Sequence, residues 1–271
     1  MRIMEKSKID WCDSTWNPVT GCLHECEYCY ARKIAERFEG TDSEAFDEEY
    51  RLYGKHELDK HLMINGRKAP YPYGFAPVLH RYLLNDCIGK KGRNIFVCSM
   101  ADLFGEWVPD SWVEEVFKAC EKAPQHNYLF LTKNPVRYSL LQDKEKLIKK
   151  PNMWYGNSIT NKEQMEISDY ETGILGGKAR TFYSVEPLLE DITDSKFWKN
   201  SCGKWYMDWV IIGAETGRRK DKVVPERKWI ENIVNDCEKE DIPVFMKSSL
   251  AEVWGEPLIQ EFPKGLRKEN K

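Results

Sequence analysis

The chain has 271 residues, a net charge of −3 and a pI near 6.1, with 41% hydrophobic and 13% aromatic residues. That apolar content is enough for one large α/β domain and excludes long disorder, while the mild acidity leaves nucleic-acid binding only to a local basic groove. No run of ~18 apolar residues offers a membrane span, and the charged start MRIMEKSKIDWCDS lacks a signal core, so a cytosolic protein with reduced thiols is expected.

In chain order, a first strand is expected around Trp16–Thr20, followed by a cysteine-rich loop at 21–30. Residues 39–93 then interrupt the pattern. They open on the acidic stretch EGTDSEAFDEEY and read either as a helical lid or substrate element inserted after the cysteine loop, or as a solvated excursion. Beyond them, short apolar runs recur at 94–102, 127–134, 153–160, 181–187, 208–216 and 242–249, each bounded by turn residues, as in strands buried on both faces. Helices are expected at 109–123, with Trp112, Val113, Val116, Phe117 and Cys120 on one face, and at 225–240, with Trp229, Ile230, Ile233, Val234 and Cys237. Strand and helix alternating in this way imply parallel strands with right-handed crossovers. The fold class is therefore α/β, a single domain over 1–271 built as a complete or partial barrel with 39–93 inserted.

Polar residues close each strand: Ser99 and Asp102, Thr132 and Lys133, Asn157 and Ser158, Ser184 and Glu186, Glu215 and Thr216, Lys247 and Ser248. In α/β barrels the C-terminal rim of the strands holds the active site.

The cysteine loop reads Gly21-Cys22-Leu23-His24-Glu25-Cys26-Glu27-Tyr28-Cys29-Tyr30, a C-x3-C-x2-C spacing. Three thiolates this close point to a metal. Zinc would require a fourth ligand, for which Cys12 and His24 are available; an iron–sulfur cluster held by only three thiolates would leave one iron open to a substrate or cofactor. The first choice gives a non-catalytic binding module with a structural zinc or iron–sulfur site, the second an enzyme.

C-x3-C with an aromatic before the third cysteine resembles the signature of the radical S-adenosylmethionine (SAM) enzymes. The resemblance implies a 4Fe-4S cluster on Cys22, Cys26 and Cys29, SAM chelated by the open iron, reductive cleavage of SAM to a 5′-deoxyadenosyl radical, and a partial (β/α)6 TIM-like barrel. It also implies an electron donor such as flavodoxin or ferredoxin. Tyr28 would lie near the adenine. The usual Gly-Gly-Glu after the second strand is missing; Ser99 and Asp102 stand in its place as candidate contacts to the SAM ammonium, with Asn157, Ser158, Glu186 and Glu215 as further candidate cofactor contacts. The segments DSTWNPVTGC, SMADLFGEWVP, LTKNP, SVEPLL and IIGAETG, spanning residues 9–217, resemble a phage-associated three-cysteine family of uncharacterised proteins; spore photoproduct lyase is a more distant likeness. A nucleic acid or nucleotide is the substrate this suggests, for modification or repair.

Other residues carry weaker alternatives. Cys98 would return a hydrogen atom to a substrate radical, or be a small buried hydrophobe. Trp11, Trp16 and Trp107 would shield the cluster or stack on a base, or simply fill the core. Lys133, Arg137, Arg218, Arg219, Lys220 and Lys222 would form a basic rim for phosphate, or a solvated loop.

Overall fold

The computed structural model describes residues 7–38, 56–64, 66–175, 177, 179–203, 207–217 and 219–266. Its strands are β1 (Ser14–Trp16), β2 (Val19–Thr20), β3 (His56–Leu58), β4 (Met63–Ile64), β5 (Arg67–Lys68), β6 (Val78–His80), β7 (Asn94–Val97), β8 (Asn127–Thr132), β9 (Met153–Ser158), β10 (Arg180–Val185), β11 (Val210–Ile212) and β12 (Val244–Met246). Seven of them form one sheet in the order β1-β7-β8-β9-β10-β11-β12, and every pair is parallel. The helices Asp110–Glu121, Val136–Asp143, Lys162–Leu175, Lys196–Gly203 and Arg227–Lys239 lie in the successive crossovers. β12 does not pair back to β1, so the expected barrel is a partial one, a curled half-barrel.

The two faces of the sheet are read directly from the period of two along each strand. Phe96, Leu129, Trp154, Phe182, Ile211 and Phe245, one from each of β7 to β12, form a cluster with Trp11, Trp209 and Leu266 that contains no residue of the crossover helices. This is the concave interior. The alternate residues Ile95, Val97, Tyr128, Phe130, Met153 and Tyr155 pack outward with Trp112, Val113, Val116 and Phe117 of the first crossover helix. Tyr183, Val185, Val210, Ile212, Val244 and Met246 do the same with Ile230, Ile233 and Val234. Both faces of each strand are thus apolar, which is why these strands are continuous hydrophobic runs.

Two expectations are modified. The first strand of the barrel lies at Ser14–Trp16, not across Trp16–Thr20. Asn17-Pro18 ends it, because proline cannot donate to a ladder, and Val19–Thr20 leaves to pair antiparallel with β6. The described part of 39–93 is strand and turn: β3 pairs parallel with β6, β4 and β5 form a hairpin, and the helical turn Arg81–Leu83 is a short 3-10 one. Pro70, Pro72, Gly74 and Pro77 break any helical period there. The acidic run lies outside the described residues. No described helix is long and apolar enough to cross a membrane.

Candidate active site at the C-terminal rim

The small β2-β6-β3 sheet is a platform for the cysteine loop. Gly21 follows β2, bridges to Ala101 in parallel fashion, and donates its N–H to the Met100 carbonyl at 2.9 Å; Cys22 donates to the Phe75 carbonyl at 3.0 Å. Gly21 has φ +88°, and a Cβ on it would stand 2.0 Å from the Ala76 oxygen, so only glycine seats the loop this closely. Ala31, Ala35, Phe75 and Met100 form a small apolar cluster that Cys22, Cys29 and Tyr71 join. The described part of the insertion therefore buttresses the cysteines.

Cys29 caps the helix Tyr30–Arg37, its Sγ accepting the Arg32 N–H at 3.3 Å. Burial pushes the Cys22 thiol up to about 12, so a thiolate at that position needs a cation beside it. Cys22, Cys26 and Cys29 form no disulfide and line one cavity of about 240 Å³. Among the described residues no three His, Cys, Asp or Glu side chains make a ready-made site for a metal ion; what matches a cluster is the donor set, three soft thiols on one short loop that share a wall of the cavity. Of the two candidate fourth ligands, Cys12 is buried among Trp11, Phe96 and Leu129 and is not part of the cavity wall, whereas His24 is.

Asp102 ties the loop to the rim. Its Oδ1 accepts from the Phe104 N–H at 3.0 Å and the Thr132 hydroxyl at 2.8 Å. Its Oδ2 accepts from the Lys133 N–H at 2.9 Å and lies 2.7 Å from His24 Nε2. A carboxylate offers about four acceptor positions, and this buried one has them filled. Asp102 therefore clamps β7, β8 and the cysteine loop together, and is not free to bind the ammonium for which the sequence proposed it. Ser99 Oγ lies 3.1 Å from Asn17 Oδ1, while the Ser99 carbonyl accepts from Tyr30 at 2.7 Å. Lys133 Nζ donates to the Tyr28 hydroxyl at 3.0 Å and sits 5.3 Å from that ring's centroid.

The opposite wall comes from β9 to β12. Ser158, Ser184, Glu186, Glu215 and Lys247 all line the cavity. Glu186 and Lys247 are ion-paired. Glu215, with its side chain 1% exposed, is gripped by Arg219 through two bonds of 2.8 Å, which hold its carboxyl below the ordinary glutamate range. Arg219 also reaches Glu27 of the cysteine loop at 3.1 Å.

All nine residues named as metal or cofactor contacts besides Asn157 line the cavity: Cys22, Cys26, Cys29, Tyr28, Ser99, Asp102, Ser158, Glu186 and Glu215. Two candidates lie elsewhere. Asn157 points to the helical layer, donating to Thr172 Oγ1 at 3.0 Å, because it alternates with inward Ser158. Cys98 follows β7 at φ +57° and packs with Trp16, Val19 and Val97; burial pushes its thiol up to about 12, and it is not part of the cavity wall. Trp11 lines the cavity, Trp16 is core with its Nε1 donating to the Leu83 carbonyl, and Trp107 packs edge-on against His24 with ring centroids 4.8 Å apart. The basic rim is largely spent: Arg137 is held by Asp110, Arg219 by Glu215 and Glu27, and Lys220 and Lys222 are exposed, while Arg218 lies outside the described residues. Lys247 and Tyr30 were not assigned roles from the sequence; the same inward register that contains Phe245 marks Lys247.

A model of the protein family of unknown function DUF5131 matches residues 6–264. The chain belongs to this family. No curated protein sequence matches it. Among solved structures, several of spore photoproduct lyase are similar to this chain in fold. Spore photoproduct lyase complexed with dinucleoside spore photoproduct is similar with TM-score 0.56 and 10% identity, covering 90% of this chain and 78% of that one. A double mutant of the same enzyme with bound AdoMet and dinucleoside spore photoproduct gives TM-score 0.56 and 8% identity over the same shares, 90% and 78%. At such identities the likeness establishes a shared fold.

Proposed function

We propose that this DUF5131 protein is a radical SAM enzyme acting on a nucleic acid or nucleotide, in modification or repair, with a flavodoxin- or ferredoxin-like electron donor. The observation that carries the reading is that three thiols of one loop open onto a single cavity at the C-terminal rim of a parallel half-barrel, in a fold shared with an enzyme whose solved complexes hold AdoMet and a dinucleoside. Cys22, Cys26 and Cys29 would hold a 4Fe-4S cluster, with Tyr28 and Ser99 beside the SAM it binds. When bound, cluster and SAM supply one-electron cleavage and a carbon radical that abstracts hydrogen. The chain's own residues do the positioning. Asp102 fixes the cysteine loop against β7 and β8, Lys133 fixes the Tyr28 ring, the Trp11 and Phe96 floor keeps the cavity base apolar, and the Arg219 bridge to Glu27 closes the loop toward β11. The phage-associated resemblance supports the nucleic-acid assignment.

Anaerobic reconstitution with iron and sulfide, followed by reduction in the presence of SAM, tests this. The wild type should turn brown and release 5′-deoxyadenosine; Cys22→Ala, Cys26→Ala and Cys29→Ala should each fail to load iron, while Cys12→Ala loads it. A second reading, a structural Cys3His zinc site, is favoured by one observation: with Nε2 of His24 on Asp102, the other ring nitrogen is oriented as in carboxylate-held metal ligands. A colourless protein that takes up one zinc and loses it on His24→Ala would establish that reading instead.

A further inference from the structure

We propose that Glu186 and Lys247 form the specificity-determining pair of the site, reading the hydrogen-bonding edge of a nucleobase. The inference deepens the nucleotide reading above and rests on it. The two side chains stand at the ends of β10 and β12, straddling β11, in the wall of the cavity that the cysteine loop also lines. The residue between them, immediately after β11, is Gly213, where a Cβ would lie 3.0 Å from Glu186 Cγ and 3.1 Å from Lys247 Cδ. The missing side chain is what lets an acid and an amine lie side by side across the strand. Both remain partly open, with side chains 24% and 18% exposed, and both line the cavity.

The chemistry selects the occupant. A phosphate brought to Lys247 would meet the Glu186 carboxylate, and the other lysine that lines the cavity, Lys133, donates to the Tyr28 hydroxyl. A neutral ring with an N–H beside a carbonyl or ring nitrogen suits both partners at once: the carboxylate accepts from the N–H and the ammonium donates to the neighbouring acceptor. Ser158 and Ser184, paired in register across β9 and β10, add hydroxyls to the same wall. The floor is aromatic, with Trp11 and Phe96, and the Tyr30 ring lines the cavity as well; flat heterocycles stack on such surfaces whatever their sequence. A free amino acid or the methionyl end of SAM would satisfy the charges but leave the aromatic surface unused.

The test is isothermal titration of the reconstituted protein with the homodinucleotides TpT, dGpdG, dApdA and dCpdC, with deoxyribose 5-phosphate and methionine as controls. The best-bound dinucleotide is then compared with its analogue methylated at the base-edge nitrogen, a ligand-side change independent of protein folding. Methylation, Glu186→Gln and Lys247→Met should each weaken binding about tenfold to a hundredfold, as expected for a hydrogen bond to a charged group. Lys247→Arg should retain most of the affinity, and the controls should not bind. SAM affinity and iron content, measured on the same preparations, should not change in the variants; their absence in the wild type would defeat the cofactor reading while leaving the base-edge inference to stand or fall on the titrations. Insensitivity to edge methylation, equal binding of deoxyribose 5-phosphate or methionine, loss of SAM affinity in the Glu186 or Lys247 variants, or binding of no dinucleotide would each overturn the proposal.

Discussion

Asp102→Asn is the sharpest probe of how the cysteine loop is held. The buried carboxylate receives two backbone N–H groups, from Phe104 and Lys133, besides the Thr132 hydroxyl and His24. An amide of the same shape keeps one oxygen. Whichever way it turns, its NH2 faces one of the two backbone donors, and a rotating hydroxyl or a changed imidazole tautomer cannot repair that clash. One buried N–H is left without an acceptor, at a cost of about 1–3 kcal/mol. The remaining bonds lose their charge assistance, worth about another 1 kcal/mol. We expect Asp102→Asn to lower stability by roughly 2–4 kcal/mol, read as a shift in urea midpoint with unchanged m-value. In a double-mutant cycle with His24→Ala, the two effects should fail to add, because both act on one network. A loss below about 1 kcal/mol, or strict additivity, would show that Asp102 does not clamp the loop.

Three further outcomes follow from individual contacts. Gly21→Ala should destabilise by about 3 kcal/mol or more, since a left-handed backbone and a 2.0 Å overlap with the Ala76 oxygen act together; proteolysis between residues 21 and 30 would report it. Arg219→Ala strands the buried Glu215 carboxylate. In the wild type that carboxyl titrates below its ordinary range, so the pair's contribution is complete above the unfolded value and fades as pH falls through the lowered one; the variant should be less stable than the wild type at pH 7 and show a flatter acid limb, read from urea midpoints across that range. His80 is buried, bonded to Thr20 and Tyr82, and burial lowers its pKa to about 4. The unfolded ring, near 6.5, binds protons first, so stability is full above that value and falls by up to about 3 kcal/mol on acidification toward pH 4. Urea titrations at pH 7 and pH 5 should show this slope, and His80→Gln should reduce it.

How far the site was legible depends on which physical rule carried each residue. The cysteine spacing and the strand-end polar residues are local signals, so Cys22, Cys26, Cys29, Ser158, Glu186 and Glu215 could be named before any coordinates. The period of two along a buried strand was equally present in the sequence. Counting inward from Phe182 and Phe245 selects Ser184, Glu186 and Lys247, and the same count from Trp154 sends Asn157 outward. The strand runs and amphipathic helices likewise determined the order of the α/β half-barrel, because apolar periodicity is a property of neighbouring residues. Partnership is not. That three of the four groups saturating Asp102 come from 30 and more residues away, that Arg219 is spent on Glu215 and Glu27, that Cys98 turns into the outer core, and that Phe75 and Ala76 of the insertion seat Gly21 are all consequences of elements meeting in space. Hydrogen bonds and ion pairs are short-ranged, so which charges stay available for a ligand was decided only when the tertiary fold brought their partners within reach.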